Sequence, residues 1–157
     1  MSELATVETT FEPVTPLGIT RADVDRFEET LFKVARETNL PEVTPTVVNH
    51  FGPGIYMREM ILDAGVMVVG HAHKTEHFNI LLSGTMRVVV DEKVEEMTGP
   101  KIVLSSPGKK KIGYAITDCR WLTIHPTHET DLSKLEEDLI EKSDAYLEHQ
   151  NLKLIAS

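Results

Sequence analysis

The sequence predicts one mainly-β domain, a small barrel or sandwich flanked by a helix on each side. Three observations favour this class. Apolar residues recur with a helical period near both ends of the chain and with a period of two in the middle. Turn residues interrupt the middle at the close spacing of an all-β domain, and no helix-length segment separates the strands. The length of 157 residues fits a single domain.

Residues 1–19 are polar, rich in threonine and interrupted by Pro13 and Pro16. This composition predicts an extended or disordered arm with no core of its own. Such an arm suits docking onto copies of the same chain or onto another protein. We therefore expect a homo-oligomer, with the arm as the contact for a possible protein partner.

Residues 20–45 are predicted to form a helix and a linker that pack on the barrel. Thr20 is a good N-cap, Asp23 falls in the first turn, and apolar residues follow at helical spacing. The helix should end before Pro41, because a proline disfavours helix in the preceding residue.

Residues 46–128 are predicted to form the β-barrel. The segment contains β-branched runs with the alternation of strands. Its turn signals are Gly52-Pro53-Gly54, Asp63-Ala64-Gly65, Ser83-Gly84, Asp91-Glu92-Lys93, Gly99-Pro100 and Pro107-Gly108.

Residues 129–157 are predicted to form one acidic amphipathic helix. Thr130 or Asp131 can cap it, and Ser133 with Glu136 has the spacing of a capping box. A stripe of apolar residues follows at helical spacing.

Composition excludes several classes of protein. Cys119 is the only cysteine, so an internal disulfide framework and a thiolate zinc site are excluded. The net charge of −9 disfavours nucleic acid as a partner, and the short basic run Lys109–Lys111 is interpreted as a solvated loop. The sequence shows neither a signal peptide nor a long apolar span, which predicts a soluble, cytoplasmic protein without membrane contact.

Three of the seven histidines, His71, His73 and His77, fall within seven residues. Side chains alternate faces in an extended chain, so the rings of His71 and His73 should point the same way. His77 shares that parity if the intervening turn keeps register, whereas Glu76 should point away. Three neutral imidazoles suit a divalent transition metal: iron, manganese, zinc, nickel or copper. The alternative is three polar residues on an exposed turn.

Other residues are candidates for the same site. His125 closes the last predicted strand and is a candidate fourth ligand, although a surface role is common at such a position. Asn79 shares the parity of His77 and is predicted to hydrogen-bond an imidazole or a substrate. One of Arg58 and Glu59 must face inward if their strand belongs to a barrel. Arg58 could then bind a substrate carboxylate or Glu59 could serve as a base, but a salt bridge on the outer face is the commoner fate of either residue.

The segment from Gly65 to Gly84, with His71, His73 and His77 between its framing glycines, resembles the first motif of the cupin superfamily. His77 stands where that motif usually has glutamate. The segment from Pro100 to Lys111 resembles the second motif, with Lys111 at the place of its final metal-binding histidine. The resemblance covers roughly residues 46 to 125.

The resemblance implies a small β-barrel, or double-stranded β-helix, with a site inside its mouth. Many cupins bind a transition metal and act as dioxygenases, isomerases or lyases on small molecules, whereas others are non-catalytic. At Lys111 three readings remain: a solvated loop residue, an anion-binding residue beside the metal, or a replacement for the metal. The pattern, with the strand from Trp121 to His125 before an acidic segment, also resembles small cupin-like proteins encoded by bacteriophages. A phage-encoded protein could be virion-associated instead of cytoplasmic.

Two functions follow from this resemblance. The first is a metal-binding cupin, either a metal-dependent enzyme or a binding protein, for a small anionic molecule. Its substrate-binding candidates are Lys111, Arg58 and Asn79. The alternative is a non-catalytic barrel used for structure, assembly or binding, including a phage virion or accessory protein. A metal-free ligand-binding cupin, such as a sensor or sugar-nucleotide isomerase-like module, is the third choice.

Overall fold

The computed structural model describes residues 18–39, 41–90 and 92–156. Most of the predicted arm therefore lies outside the described residues. The elements in chain order are α1 (Arg21–Thr38), β1 (Thr46–Gly52), β2 (Ile55–Leu62), β3 (Met67–Val69), β4 (Ala72–His73), β5 (His77–Ser83), β6 (Thr85–Val90), β7 (Lys93–Thr98), β8 (Lys101–Ser105), β9 (Ile112–Ala115), β10 (Cys119–Pro126), α2 (Leu132–Leu139), β11 (Ile140–Glu141) and α3 (Asp144–Ala156).

Helix α1 begins and ends as the sequence predicts. The Thr20 side chain accepts a hydrogen bond from the Asp23 backbone amide, and the Asp23 carboxylate accepts one from the Thr20 amide, which completes a capping box. Asn39 ends the helix in the left-handed conformation at φ 52°.

Nine of the eleven described strands form two antiparallel sheets with a core between them, and β4 pairs with β11 in a third, two-stranded sheet. The larger sheet has the order β1-β2-β10-β5-β8, and the smaller one has the order β3-β9-β6-β7. Both sheets contribute to the central cluster: Leu62, Leu81, Met86, Val88, Met97, Ala115, Cys119 and Trp121. Alternate residues of each strand enter this core, which explains the period of two in the sequence. The predicted mainly-β barrel with flanking helices is confirmed.

Gly84, one of the two framing glycines, occupies a position that admits no other residue. Its φ is +90°, and an added Cβ would lie 2.1 Å from the carbonyl oxygen of Asp118 and 2.7 Å from Cys119 Sγ. The backbone of β5 can therefore turn into β6 beside the start of β10 only with glycine here.

The C-terminal segment differs from the single helix predicted over residues 129–157. Asp131 caps α2 by accepting hydrogen bonds from the amides of Ser133 and Lys134, at 3.0 and 3.1 Å. The helix then stops, because the backbone at Ile140 becomes extended and joins β4 as strand β11. Pairing with an edge strand far away in sequence replaces the hydrogen bonds that would have continued the helix.

The lysine run is also different from the prediction of a solvated loop. Lys110 is only 5% exposed, and its Nζ lies 2.5 Å from Glu28 Oε2 and 2.8 Å from Asp25 Oδ1. Glu28 is itself buried and accepts a further hydrogen bond from the Ser143 hydroxyl at 2.6 Å. This buried ion pair fastens α1, and the loop before α3, to the barrel. No helix among the described residues is both long and apolar enough to cross a bilayer.

Candidate metal centre

Three imidazoles meet on the inner side of the larger sheet. His73 belongs to β4, His77 begins β5, and His125 lies near the end of β10. One ring nitrogen from each lies within 4.8 Å of the other two. His77 and His125 are 3% and 1% exposed. The antiparallel pairing of β5 with β10 brings the latter two residues to the same end of the sheet.

The three rings present nitrogen atoms to one another, and one pair of them shares a hydrogen bond. His73 Nδ1 lies 2.9 Å from His125 Nε2. His77 Nδ1 donates to the carbonyl oxygen of Thr75 at 2.8 Å, so its Nε2 carries the lone pair. Metal-bound histidines commonly donate their second ring N–H to a backbone carbonyl in this way. The Thr75 hydroxyl is also 3.5 Å from His125 Nδ1.

Burial keeps the three rings neutral. Desolvation, followed by the charges of its neighbours His77 and His125, lowers the pKa of His73 to about 3. Desolvation and His77 lower the pKa of His125 to about 4, and desolvation also lowers the pKa of His77. A metal ion requires deprotonated imidazoles, so this environment prepares the rings for coordination.

The donor set fits a divalent transition metal. An ion about 2.0–2.1 Å from each of two imidazole nitrogens holds them roughly 3 Å apart, and the nitrogens of His73 and His125 already have that separation. The three nitrogens come from three different strands. A set of three protein ligands leaves coordination positions open for water or a ligand.

His71 lies apart from this group, so the expected convergence of His71, His73 and His77 is wrong. The alternation argument is correct in part, because His71 and His73 both line the same cavity. However, the ring of His71 packs edge-on against Tyr146 of α3, at a centroid distance of 4.6 Å. His125, from a strand distant in sequence, completes the trio instead.

A cavity of about 240 Å³ lies beside the trio. Two cationic residues, Arg58 and Lys111, contribute to its wall, as does His73. The positive charge of Lys111 also contributes to lowering the pKa values of His73 and His77. The remaining wall is largely apolar: Met60, Val68, Val69, Met86, Val88, Trp121 and Ile140. The wall of this cavity thus combines positively charged residues with apolar ones.

The structure shows which of Arg58 and Glu59 faces the inside of the barrel. Arg58 faces the cavity, whereas Glu59 lies on the other face of the sheet and is 4% exposed. There Glu59 accepts hydrogen bonds from His50 at 2.8 Å and from Arg120 at 2.6 Å. Glu59 thus has the outer-face salt bridge that the sequence favoured, and it is not the base of the site. Glu76 is exposed, as its parity predicts.

Asn79 does not bind an imidazole, and that expectation is corrected. Its amide nitrogen donates to the Ser105 hydroxyl at 2.7 Å. Its amide oxygen accepts from Trp121 Nε1 at 3.2 Å and from Thr123 Oγ1 at 3.1 Å. These hydrogen bonds occupy the Asn79 side chain within the core, where they connect β5 to β8 and to β10.

Acid is expected to destabilise the metal-free protein. The pKa values of about 3 for His73 and about 4 for His125 lie below their ordinary value of 6.5. Below pH 6.5 these histidines bind protons in the unfolded chain but not in the folded chain. Their contribution to the free energy of unfolding is therefore fully present above pH 6.5 and decreases as the pH falls toward 4. Each histidine contributes about 1.4 kcal/mol per pH unit within this window.

Urea unfolding of the metal-free protein at pH 7.5 and pH 5.0 measures this effect. A variant carrying His73→Gln and His125→Gln should lose the part of the pH dependence that these two residues contribute, and the exposed His128→Gln is the matched control that should keep it. Equal free energies of unfolding at the two pH values would contradict the burial argument.

No family model and no curated protein matches the sequence. Solved structures do resemble it. A cupin superfamily protein from Desulfitobacterium hafniense aligns over 60% of this chain and 87% of its own, with a TM-score of 0.47 and 10% identity. An RmlC-like cupin family protein with a double-stranded β-helix fold, from Methanocaldococcus jannaschii, aligns over 54% and 82%, with a TM-score of 0.47 and 15% identity. The chain has a cupin fold.

A larger enzyme matches more of this chain. Salicylate 1,2-dioxygenase from Pseudoaminobacter salicylatoxidans, solved with gentisate, aligns over 79% of this chain with a TM-score of 0.50 and 11% identity. The match spans 37% of the dioxygenase, so it concerns one part of that protein. At this identity the likeness describes the fold, and the site must be argued from the residues of this chain.

Thr75 is the residue of the centre that sequence reasoning missed. Its carbonyl oxygen orients His77, and its hydroxyl faces His125. The carbonyl contact depends on backbone geometry rather than on residue type, so no sequence pattern marks it. The position between His73 and His77 is the only indication that the sequence offers.

Proposed function

We propose that this cupin binds one divalent transition-metal ion through His73, His77 and His125, and that it binds a small organic anion beside the ion. The observation that carries the proposal is the meeting of three buried imidazoles with nitrogens within 4.8 Å of one another. Their lowered pKa values keep them neutral and ready to coordinate. Iron, zinc, nickel and copper suit imidazole donors, and manganese, which favours oxygen donors, would also need water or ligand oxygens at the open positions.

The residues around the centre have separate tasks. Thr75 orients two of the rings, and Arg58 and Lys111 supply positive charge for the anionic group of a ligand. The apolar wall formed by Met86, Val88 and their neighbours excludes water around the rest of the ligand. A bound ion would supply a Lewis-acidic position beside that ligand.

Metal content tests the proposal. The protein is purified without a metal-affinity column, incubated with each of the five ions in turn, desalted and analysed by mass spectrometry of the elements. We expect close to one ion per chain for at least one of the five metals. Substoichiometric content with every metal, in protein that is folded by circular dichroism, would contradict the proposal.

The anion is expected to depend on Arg58. Charge-assisted hydrogen bonds contribute about 1.5–3 kcal/mol, so Arg58→Gln should weaken anion binding about tenfold or more. Oxalate, titrated into the copper(II)-loaded protein and followed by visible absorption, is a suitable probe. Metal content should not change in this variant.

Arg87→Gln provides the matched control, because Arg87 pairs with Glu96 on the surface away from the cavity. Its oxalate affinity should equal that of the unaltered protein. If Arg58→Gln binds oxalate as tightly as the control, the anion does not contact this side of the cavity.

A further inference from the structure

The outer face of the larger sheet is apolar and exposed. Alternate residues of its strands point away from the core, and many of them remain accessible although they are hydrophobic. Ile102 is 67% exposed, Leu104 is 53% exposed and Phe78 is 50% exposed. We call this surface the outer sheet face; its apolar members are Val48, Ile55, Met57, Ile61, Phe78, Ile80, Leu82, Ile102, Leu104, Leu122 and Ile124.

The strand register makes these residues one continuous surface. Leu104 lies opposite Phe78, Phe78 opposite Ile124, and Ile124 opposite Met57, so one apolar row crosses four strands. A second row joins Ile102, Ile80 and Leu122. Scattered hydrophobic residues on a surface need no explanation, but contiguous rows of this length mark an interface.

The charges of the outer sheet face are compensated within the chain. Glu59, near its centre, is held by His50 and Arg120, and its pKa is lowered by these two partners. The face therefore has no unpaired charge that would repel an identical face. An anionic bilayer is a poor alternative, because the chain carries a net charge of −9.

The size of the outer sheet face suits a dimer. Five strands about 4.8 Å apart and about 20 Å long present roughly 500 Å² in projection, and side-chain relief increases the accessible area further. A standard interface takes about 800 Å² from each partner, and the interfaces of homodimers are the more apolar ones. Two such sheets pack face to face at about 10 Å.

We propose that two copies of this chain pack their outer sheet faces together about a two-fold axis. Phe78 and Leu104 lie in the longer apolar row and supply its large side chains. The surface is apolar and its charges are paired within the chain, so an identical face can pack against it about a two-fold axis. This assembly does not depend on the metal, since the histidine trio lies on the opposite face of the sheet.

The competing occupant is the N-terminal arm of the same chain. The first described residues lie beside the loop that follows β8, where Arg21 donates a hydrogen bond to the Gly108 carbonyl at 2.9 Å. The continuous apolar rows and the paired charges of the outer sheet face favour a second copy as its occupant. Deletion of residues 1–17 distinguishes the two occupants.

Sedimentation analysis of the full chain tests the proposal. We expect twice the chain mass of 17.6 kDa at about 50 μM protein. The double variant Phe78→Glu, Leu104→Glu should sediment at the single-chain mass, with a dissociation constant raised more than about 100-fold. Both side chains are about half exposed in the single chain, so circular dichroism and metal content should stay unchanged.

Ile155→Glu is the matched control, since Ile155 is 82% exposed on α3, outside the outer sheet face; this variant should keep the doubled mass. A single-chain mass for the unaltered protein would overturn the proposal. A doubled mass that persists in the double variant would also overturn it. So would a shift from single to doubled mass when residues 1–17 are deleted, because the arm would then be the occupant.

Discussion

Replacing His73 with alanine is expected to lower the affinity for the divalent ion by more than about 100-fold, since loss of even an outer-shell partner costs 10–100-fold. The variant removes one of the three nitrogen ligands of the ion. It also removes His73 Nδ1, the hydrogen-bond partner of His125 Nε2. His125→Ala should have an effect of the same size. Calorimetric titration of the metal-free proteins measures the affinities, with circular dichroism as the check on folding.

His71→Ala is the control for this experiment. His71 belongs to the same sequence cluster and lines the same cavity, yet its ring packs on Tyr146 instead of joining the trio. We expect its metal affinity to stay within a few-fold of the unaltered protein. Loss of the ion in His71→Ala, with retention in His125→Ala, would favour the ligand set that the sequence alone predicted.

Lys110→Met is expected to destabilise the fold by about 3–5 kcal/mol, because it leaves the buried Glu28 carboxylate without its cation. Glu28 is only 2% exposed, so water cannot replace Lys110 there. Its remaining partner is the Ser143 hydroxyl. Equilibrium unfolding in urea at pH 7.5 measures the change in the free energy of unfolding.

The double variant Lys110→Met, Glu28→Leu should recover much of that loss, since it removes both charges together. Lys33→Met is the surface control. Lys33 pairs with Glu37 at 3.9 Å and is 67% exposed, so its loss should cost under about 1 kcal/mol. A similarly small effect of Lys110→Met would contradict the structural importance of the buried pair.

The parts of the fold that local chemistry determines could be predicted from the sequence. Thr20 and Asp23 form their capping box within four residues, so the start of α1 needs no distant partner. The alternation of apolar residues likewise identifies the strands. The break between α2 and α3 was not predictable in this way, because it depends on the pairing of Ile140 with His73, a contact across the chain.

The same distinction applies to the candidate metal centre. Spacing placed His73 and His77 together, and His125 entered only as a candidate at a strand end. The alternation rule does not hold for His71, because strand β4 contains only Ala72 and His73. The ring of His71 packs against Tyr146, which is distant in sequence. Alternation showed that either Arg58 or Glu59 must face inward. The choice between them required the positions of His50 and Arg120, which belong to neighbouring strands.

The central claim is that one ion is held by His73, His77 and His125. A crystal of the metal-loaded protein, measured at the absorption edge of that metal, tests it most directly. The account predicts one anomalous peak about 2.0–2.1 Å from a ring nitrogen of each of the three residues. A peak coordinated by His71, or no peak among the three rings, would contradict it.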